Sequence, residues 1–123
     1  RTGAAWRSHE SRRSQGAAKG LANVIWTPEA LRQLDGVLVY LAEVAPDYSE
    51  ALSFEIEAAA DSLARFPKMG RVVPEFSRDD LREIIIDNYR LVYVVRPEGV
   101  RIASLFHAAM DVANRLRTPR KKK

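Results

Sequence analysis

A carboxylate, a guanidinium and an imidazole sit at strand-like spacing in the second half of this chain. The run Arg82-Glu83-Ile84-Ile85-Ile86-Asp87-Asn88-Tyr89-Arg90-Leu91-Val92-Tyr93 is followed by a Pro97-Glu98-Gly99 turn and a further apolar run that stops at His107. On one surface, Glu83 and His107 would be candidates for general acid and base, and Arg90 a cation able to hold a developing negative charge. The plainer account is a diagonal cross-strand ion pair between Glu83 and Arg90, with His107 closing a strand.

The elements that must position these groups are two consecutive β-hairpins. A two-residue Asp87-Asn88 loop pairs Ile86 with Tyr89 and Ile85 with Arg90. A four-residue Arg96 to Gly99 loop pairs Val95 with Val100 and sets Arg90 opposite Leu105. Side-chain alternation then puts Glu83, Ile85, Arg90, Val92, Val94, Arg101, Ala103, Leu105 and His107 on one face, and Ile84, Tyr89, Leu91, Tyr93, Ile102 and Phe106 on the other. Both faces are largely apolar, so helices must cover one, and a further helix or a partner must cover part of the other.

Upstream, residues 23–26 form a short strand, and Thr27-Pro28-Glu29 starts a helix with Thr as N-cap and Pro in the first turn. Leu31, Leu34, Leu38 and Leu41 repeat at helical spacing and stop before Pro46. Asp47 and Glu50 open a second helix, whose stripe is Leu52, Ile56, Ala59, Leu63 and Phe66. Pro67 and Gly70 end it, residues 68–80 form a loop, and residues 108–117 a short final helix. The fold class is α+β: an N-terminal strand, an antiparallel helical hairpin packed on a mainly antiparallel four-stranded sheet, and a short C-terminal helix.

With 123 residues, 46% of them hydrophobic, the chain builds one core. Residues 1–21 read as a disordered basic N-terminal segment or a cloning remnant, residues 22–117 as the folded domain, and residues 118–123 as a basic tail. The net charge of +4 divides into +4 over residues 1–20, +6 over residues 112–123 and −6 over residues 21–111. The body is therefore acidic, and the basic overall balance is not by itself an argument for nucleic acid. The absence of Cys removes disulfides and thiolate metal sites and fits a reducing compartment. No apolar run approaches the roughly 20 residues of a membrane span. Phosphate-loop, zinc-protease and serine-elbow motifs are all missing, and His9 and His107 have no metal-ligand spacing, so no cofactor or metal is expected.

The order of elements, together with Trp26-Thr27-Pro28-Glu29-Ala30, Phe66-Pro67, Gly70-Arg71, Pro74-Glu75, Leu81-Arg82-Glu83, Tyr89-Arg90-Leu91-Val92-Tyr93, His107 and Asp111, resembles the RelE/ParE superfamily of toxins from type II toxin–antitoxin pairs. The resemblance covers about residues 22–112 and implies the RelE-like fold, a bacterial cytoplasmic toxin of the kind tied to plasmid stabilisation and growth inhibition, and a cognate antitoxin with which it forms a hetero-oligomer. A ParE-like member inhibits DNA gyrase by binding. A RelE-like member cleaves mRNA in the ribosome, which here would use Glu83, Arg90 and His107 as the catalytic set. The acidic body, the sequence His107-Ala108-Ala109 where relatives often carry arginine, and the lack of a lysine cluster before Arg82 favour the ParE-like branch, without catalysis. A degenerate, non-toxic member that still binds antitoxin is the third reading. Arg71, Arg82 and Arg101 are the expected target-binding residues, and Ile85, Val92, Val94 and Leu105 the expected antitoxin-binding ones.

Overall fold

Thr27 and Pro28 begin the architecture as their types dictate. In the computed structural model, which describes residues 21–109, the Thr27 hydroxyl accepts the Ala30 N–H at 3.1 Å and Pro28 occupies the first turn of helix α1 (Pro28–Val44). Ala30, Leu34, Leu38 and Leu41 form its buried stripe. Helix α2 (Pro46–Arg65) starts two residues earlier than the capping-box spacing of Asp47 and Glu50 suggests. Pro46 takes the first turn, Ala45 the capping position without a side-chain bond, and Asp47 places its acid near the helix N-terminus.

Ser49, Leu52, Ile56, Ala60 and Leu63 are the buried face of α2. The Ser49 hydroxyl donates to the Leu38 carbonyl at 3.1 Å, a polar stitch between the two helices. Phe66, expected to complete the stripe, lies beyond the helix and is exposed.

The strands are β1 (Val24–Trp26), β2 (Arg71–Val72), β3 (Leu81–Ile86), β4 (Tyr89–Arg96) and β5 (Gly99–His107), in the spatial order β1-β5-β4-β3-β2. The sheet thus has five strands rather than four. The extra one is β2, two residues of the segment read as a loop, which pairs antiparallel with Arg82 and Glu83 at one edge. At the other edge β1 runs parallel to β5, with Val24, Ile25 and Trp26 opposite Val100, Arg101 and Ile102. Gly99 takes a φ of +144° where an added Cβ would lie 2.3 Å from the Asn23 carbonyl oxygen, so this junction requires glycine.

The β3–β4 register is the expected one: Ile86 faces Tyr89, Ile85 faces Arg90 and Glu83 faces Val92 across an Asp87-Asn88 turn with Asp87 at φ 53°. The β4–β5 hairpin keeps its expected start, Val95 opposite Val100, but slips between Val92 and Tyr93, because Val92 pairs with Ser104 and Tyr93 with Ile102. Ala103 is the extra residue of a β-bulge. Gln33 of α1 holds the bulge, its side-chain oxygen accepting the Leu105 N–H at 2.8 Å and the Ser104 hydroxyl at 3.1 Å. Beyond it every side chain of β5 changes face, and Arg90 lies opposite Phe106 rather than Leu105.

Two apolar clusters flank the sheet. The main core joins Trp26, the stripes of α1 and α2, and Leu91, Tyr93, Ile102 and Leu105. The second cluster, on the face away from the helices, holds Val73, Leu81, Val92 and Phe106 with Phe76 and Val94 against them. Part of that second face is covered by the chain's own 73–80 segment, where a further helix or a partner was expected. The expected helix over residues 108–117 lies outside the described residues except for Ala108 and Ala109, which form a turn. Residues 1–20 and the basic tail also lie outside them.

Candidate functional site

The sheet face away from the helices gathers four charged side chains from four places in the chain. β3 presents Glu83, β4 presents Arg90, β2 presents Arg71, and the 73–80 segment adds Glu75. Glu83 has no solvent-accessible side-chain surface and Arg90 only 8%. One Glu83 carboxylate oxygen accepts the Arg90 Nε–H at 2.6 Å, and the other accepts the Arg71 Nε–H, also at 2.6 Å. The two terminal nitrogens of Arg90 donate to the two oxygens of Glu75 at 3.1 and 3.3 Å. Two positive and two negative charges therefore form one neutral chain, buried at its centre and open to solvent at Arg71 and Glu75.

The electrostatics follow from that geometry. Hydrogen bonds from Arg90 hold the Glu75 carboxyl below its ordinary value, against a smaller upward push from burial. Burial alone would lower the Arg90 guanidinium, but its bonds to Glu75 and Glu83 more than offset this, so its pKa is raised. A guanidinium in this state is fully charged and already neutralised by two carboxylates.

His107 does not join the group. It lies past the bulge and pairs with Tyr89, whose ring it meets edge-on at 5.5 Å between centroids, on the helix side of the sheet. The expectation that Glu83, Arg90 and His107 share one face is therefore corrected by the Ala103 bulge. The exposed His107 ring accepts the Ala109 N–H at Nδ1, 3.2 Å away. It borders an open polar groove with Tyr48, Asp87, Asn88 and Tyr89. There the Tyr48 hydroxyl donates to Asp87 at 3.1 Å, and burial followed by this bond raises the Tyr48 pKa.

The residues expected to meet an antitoxin or a target also separate. Leu105 is turned by the bulge into the main core, and Phe106 takes the place assigned to it. Val92 is wholly buried under the 73–80 segment, whereas Val94 is half-buried and Ile85 is 47% exposed. Arg82 is a structural clip: it binds Asp79 through Nη2 at 2.6 Å and donates to the Gly70 carbonyl at 2.8 Å. Arg71 is 59% exposed though bound to Glu83, and Arg101 is exposed and makes no ion pair with a described residue.

Two residues of this region escaped the sequence reading as contributors. Glu75 was legible only as part of a loop motif, because its contact with Arg90 is made by the fold of the 73–80 segment. Tyr93, buried in the core, accepts the Gly70 N–H at 2.9 Å, and a Cβ at Gly70 would sit 2.5 Å from the Glu83 carbonyl oxygen, so the glycine lets β2 approach β3 beside the charged chain. Among the described residues no three His, Cys, Asp or Glu side chains converge as a metal ion requires. No helix among them is long and apolar enough to cross a membrane.

The chain is similar in sequence and in fold to known proteins. The family model described as the ParE toxin of the type II toxin–antitoxin system parDE matches residues 24–112. Toxin RelE2 of Caulobacter vibrioides is 32% identical over 90 residues, which span 72% of this chain and 98% of that protein. A solved structure described as the chromosomal ParDE TA system from P. aeruginosa superposes with a TM-score of 0.59 at 14% identity. It covers 71% of this chain and 96% of its own, a likeness of fold.

Proposed function

The chain belongs to the ParE toxin family of type II toxin–antitoxin systems, and from that premise we propose that it acts in the bacterial cytoplasm by binding DNA gyrase rather than by cutting RNA. As a type II toxin it has a cognate antitoxin as partner. The single observation that carries the reading is the state of Arg90. Cleavage of RNA needs a group to take the ribose 2′-hydroxyl proton, a group to protonate the leaving oxygen and a cation for the charge that builds on phosphorus. The side chain best placed to be that cation is buried and bound by Glu75 and Glu83. The acidic balance of residues 21–111 opposes a polyanionic substrate in the same direction.

In this reading Arg71 and Arg101 are the cations available to a protein target. The half-exposed Ile85 and Val94 offer apolar surface to the antitoxin in a toxin–antitoxin hetero-oligomer. The second reading, a ribosome-dependent mRNA endoribonuclease, draws on the relative named Toxin RelE2.

The test is to add the purified chain to gyrase supercoiling and to cell-free translation in parallel. Inhibited supercoiling with intact mRNA, unchanged in His107→Ala, is expected. Cuts in mRNA that vanish in His107→Ala would replace this reading with the second. Loss of neither process, with tight antitoxin binding, would mark a detoxified member.

A further inference from the structure

Arg90 has donors on two edges, and the structure treats them differently. The inner edge, Nε with one side of Nη2, is bound at 2.6 and 2.5 Å by one oxygen of Glu83, which is fully buried and belongs to the neighbouring strand. The outer edge, Nη1 with the other side of Nη2, is bound at 3.3 and 3.1 Å by Glu75, which is 37% exposed and belongs to a loop. A guanidinium edge of two parallel N–H groups fits a carboxylate and a phosphate equally well. We infer that Glu75 is a built-in plug: its carboxylate fills the outer edge of Arg90 and so denies a phosphate socket on the sheet to nucleic-acid backbones. This rests on the binding-toxin reading above and deepens it, because it names the residue that keeps the sheet face neutral and closed to polyanions.

The loop does not depend on the plug for its position. Val73 and Phe76 pack against Leu81, Val92 and Phe106. The Val73 N–H donates to the Leu81 carbonyl at 3.1 Å, and the Val73 carbonyl accepts the N–H groups of Phe76 and Ser77 at 3.1 and 3.0 Å. Removing the Glu75 carboxylate therefore leaves the segment in place and the outer edge of Arg90 unfilled. Arg71, half-exposed and bound to the same Glu83, would then flank an incoming anion with a second positive charge.

The experiment uses the full chain as wild type, Glu75→Ala, Glu75→Gln and Glu98→Ala. The last removes the same charge from the β4–β5 turn. Each is titrated at constant ionic strength with inorganic phosphate and with a short single-stranded RNA, while the Arg90 Nε–H resonance is followed by NMR. Both Glu75 variants are expected to bind phosphate at least about tenfold more tightly than wild type, with movement of the Arg90 resonance. Glu98→Ala is expected to match wild type. Equal gains in Glu98→Ala and the Glu75 variants, a gain without movement of Arg90, or no gain in either folded Glu75 variant would each overturn the plug. Gyrase supercoiling by the wild type reports on the proposed function independently, so either reading can fail while the other stands.

Discussion

Replacing Glu83 tests whether the charged chain on the sheet is structural. Glu83→Met removes the acceptor of the Arg90 Nε–H and of the Arg71 Nε–H, both at 2.6 Å. Arg71 is more than half exposed and can return to water, so its loss is worth about 0–1 kcal/mol. Arg90, 8% exposed, keeps only the two longer bonds to Glu75, and stranding one partner of a buried ion pair costs about 3–5 kcal/mol. A domain of this size has roughly 5–15 kcal/mol to lose. At the low urea slope of a small domain, about 1 kcal/mol per molar, the midpoint should fall by about 3 M. Glu83→Met combined with Arg90→Met replaces the pair by hydrocarbon beside Val92 and Phe106, leaving Glu75 and Arg71 solvated. It should cost less than the two single changes together by about 2 kcal/mol or more. The reasoning fails if Glu83→Met costs under about 1 kcal/mol. It fails equally if Arg90→Met leaves the urea midpoint unchanged while abolishing growth inhibition, because Arg90 would then act on a target rather than on the fold.

Other outcomes follow from single contacts. Gln33→Ala frees the buried Leu105 N–H at the bulge and should cost about 1–3 kcal/mol in urea unfolding, with faster hydrogen exchange at Leu105. Gly70→Ala places a methyl 2.5 Å from the Glu83 carbonyl oxygen, and should cost at least about 1–3 kcal/mol and detach β2, seen as lost protection of the Arg71 and Val72 amides. For pH, Glu75 is held below its ordinary 4.5 by Arg90, so its ionised form stabilises the fold above that value, and the contribution fades as pH falls through the lower folded value. The stability gap between wild type and Glu75→Gln should be constant near neutrality, under about 1 kcal/mol for so exposed a carboxylate, and should close below pH 4.5.

Local chemistry announced much of this molecule. Thr27-Pro28 marked the start of α1, and the two-residue Asp87-Asn88 turn set the β3–β4 register, which correctly brought Glu83 and Arg90 to one face. The Ala103 bulge was not legible, because it contains no glycine and is followed by Leu105-Phe106, two apolar residues that satisfy either alternation. One unannounced residue was enough to send His107 and Leu105 to the helix side. The edge strand β2 escaped for a different reason. Its two residues, Arg71 and Val72, are too few to show periodicity, and their pairing depends on the close approach that Gly70 permits. Glu75 meets Arg90 fifteen positions later in the chain, a contact that only the folded 73–80 segment creates.

The parallel pairing of β1 with β5 has a consequence for biosynthesis. Val24 to Trp26 find their partners only at Val100 to Ile102, so the opening strand of the domain waits, unmatched, until nearly the whole domain has been translated. The helical hairpin, whose contacts are local, can form meanwhile, but the closing of the sheet is a late, long-range step that slows folding. The surface on which Arg71, Glu75, Glu83 and Arg90 meet is thus complete only once β5 has closed the sheet, in the last part of the domain to be made.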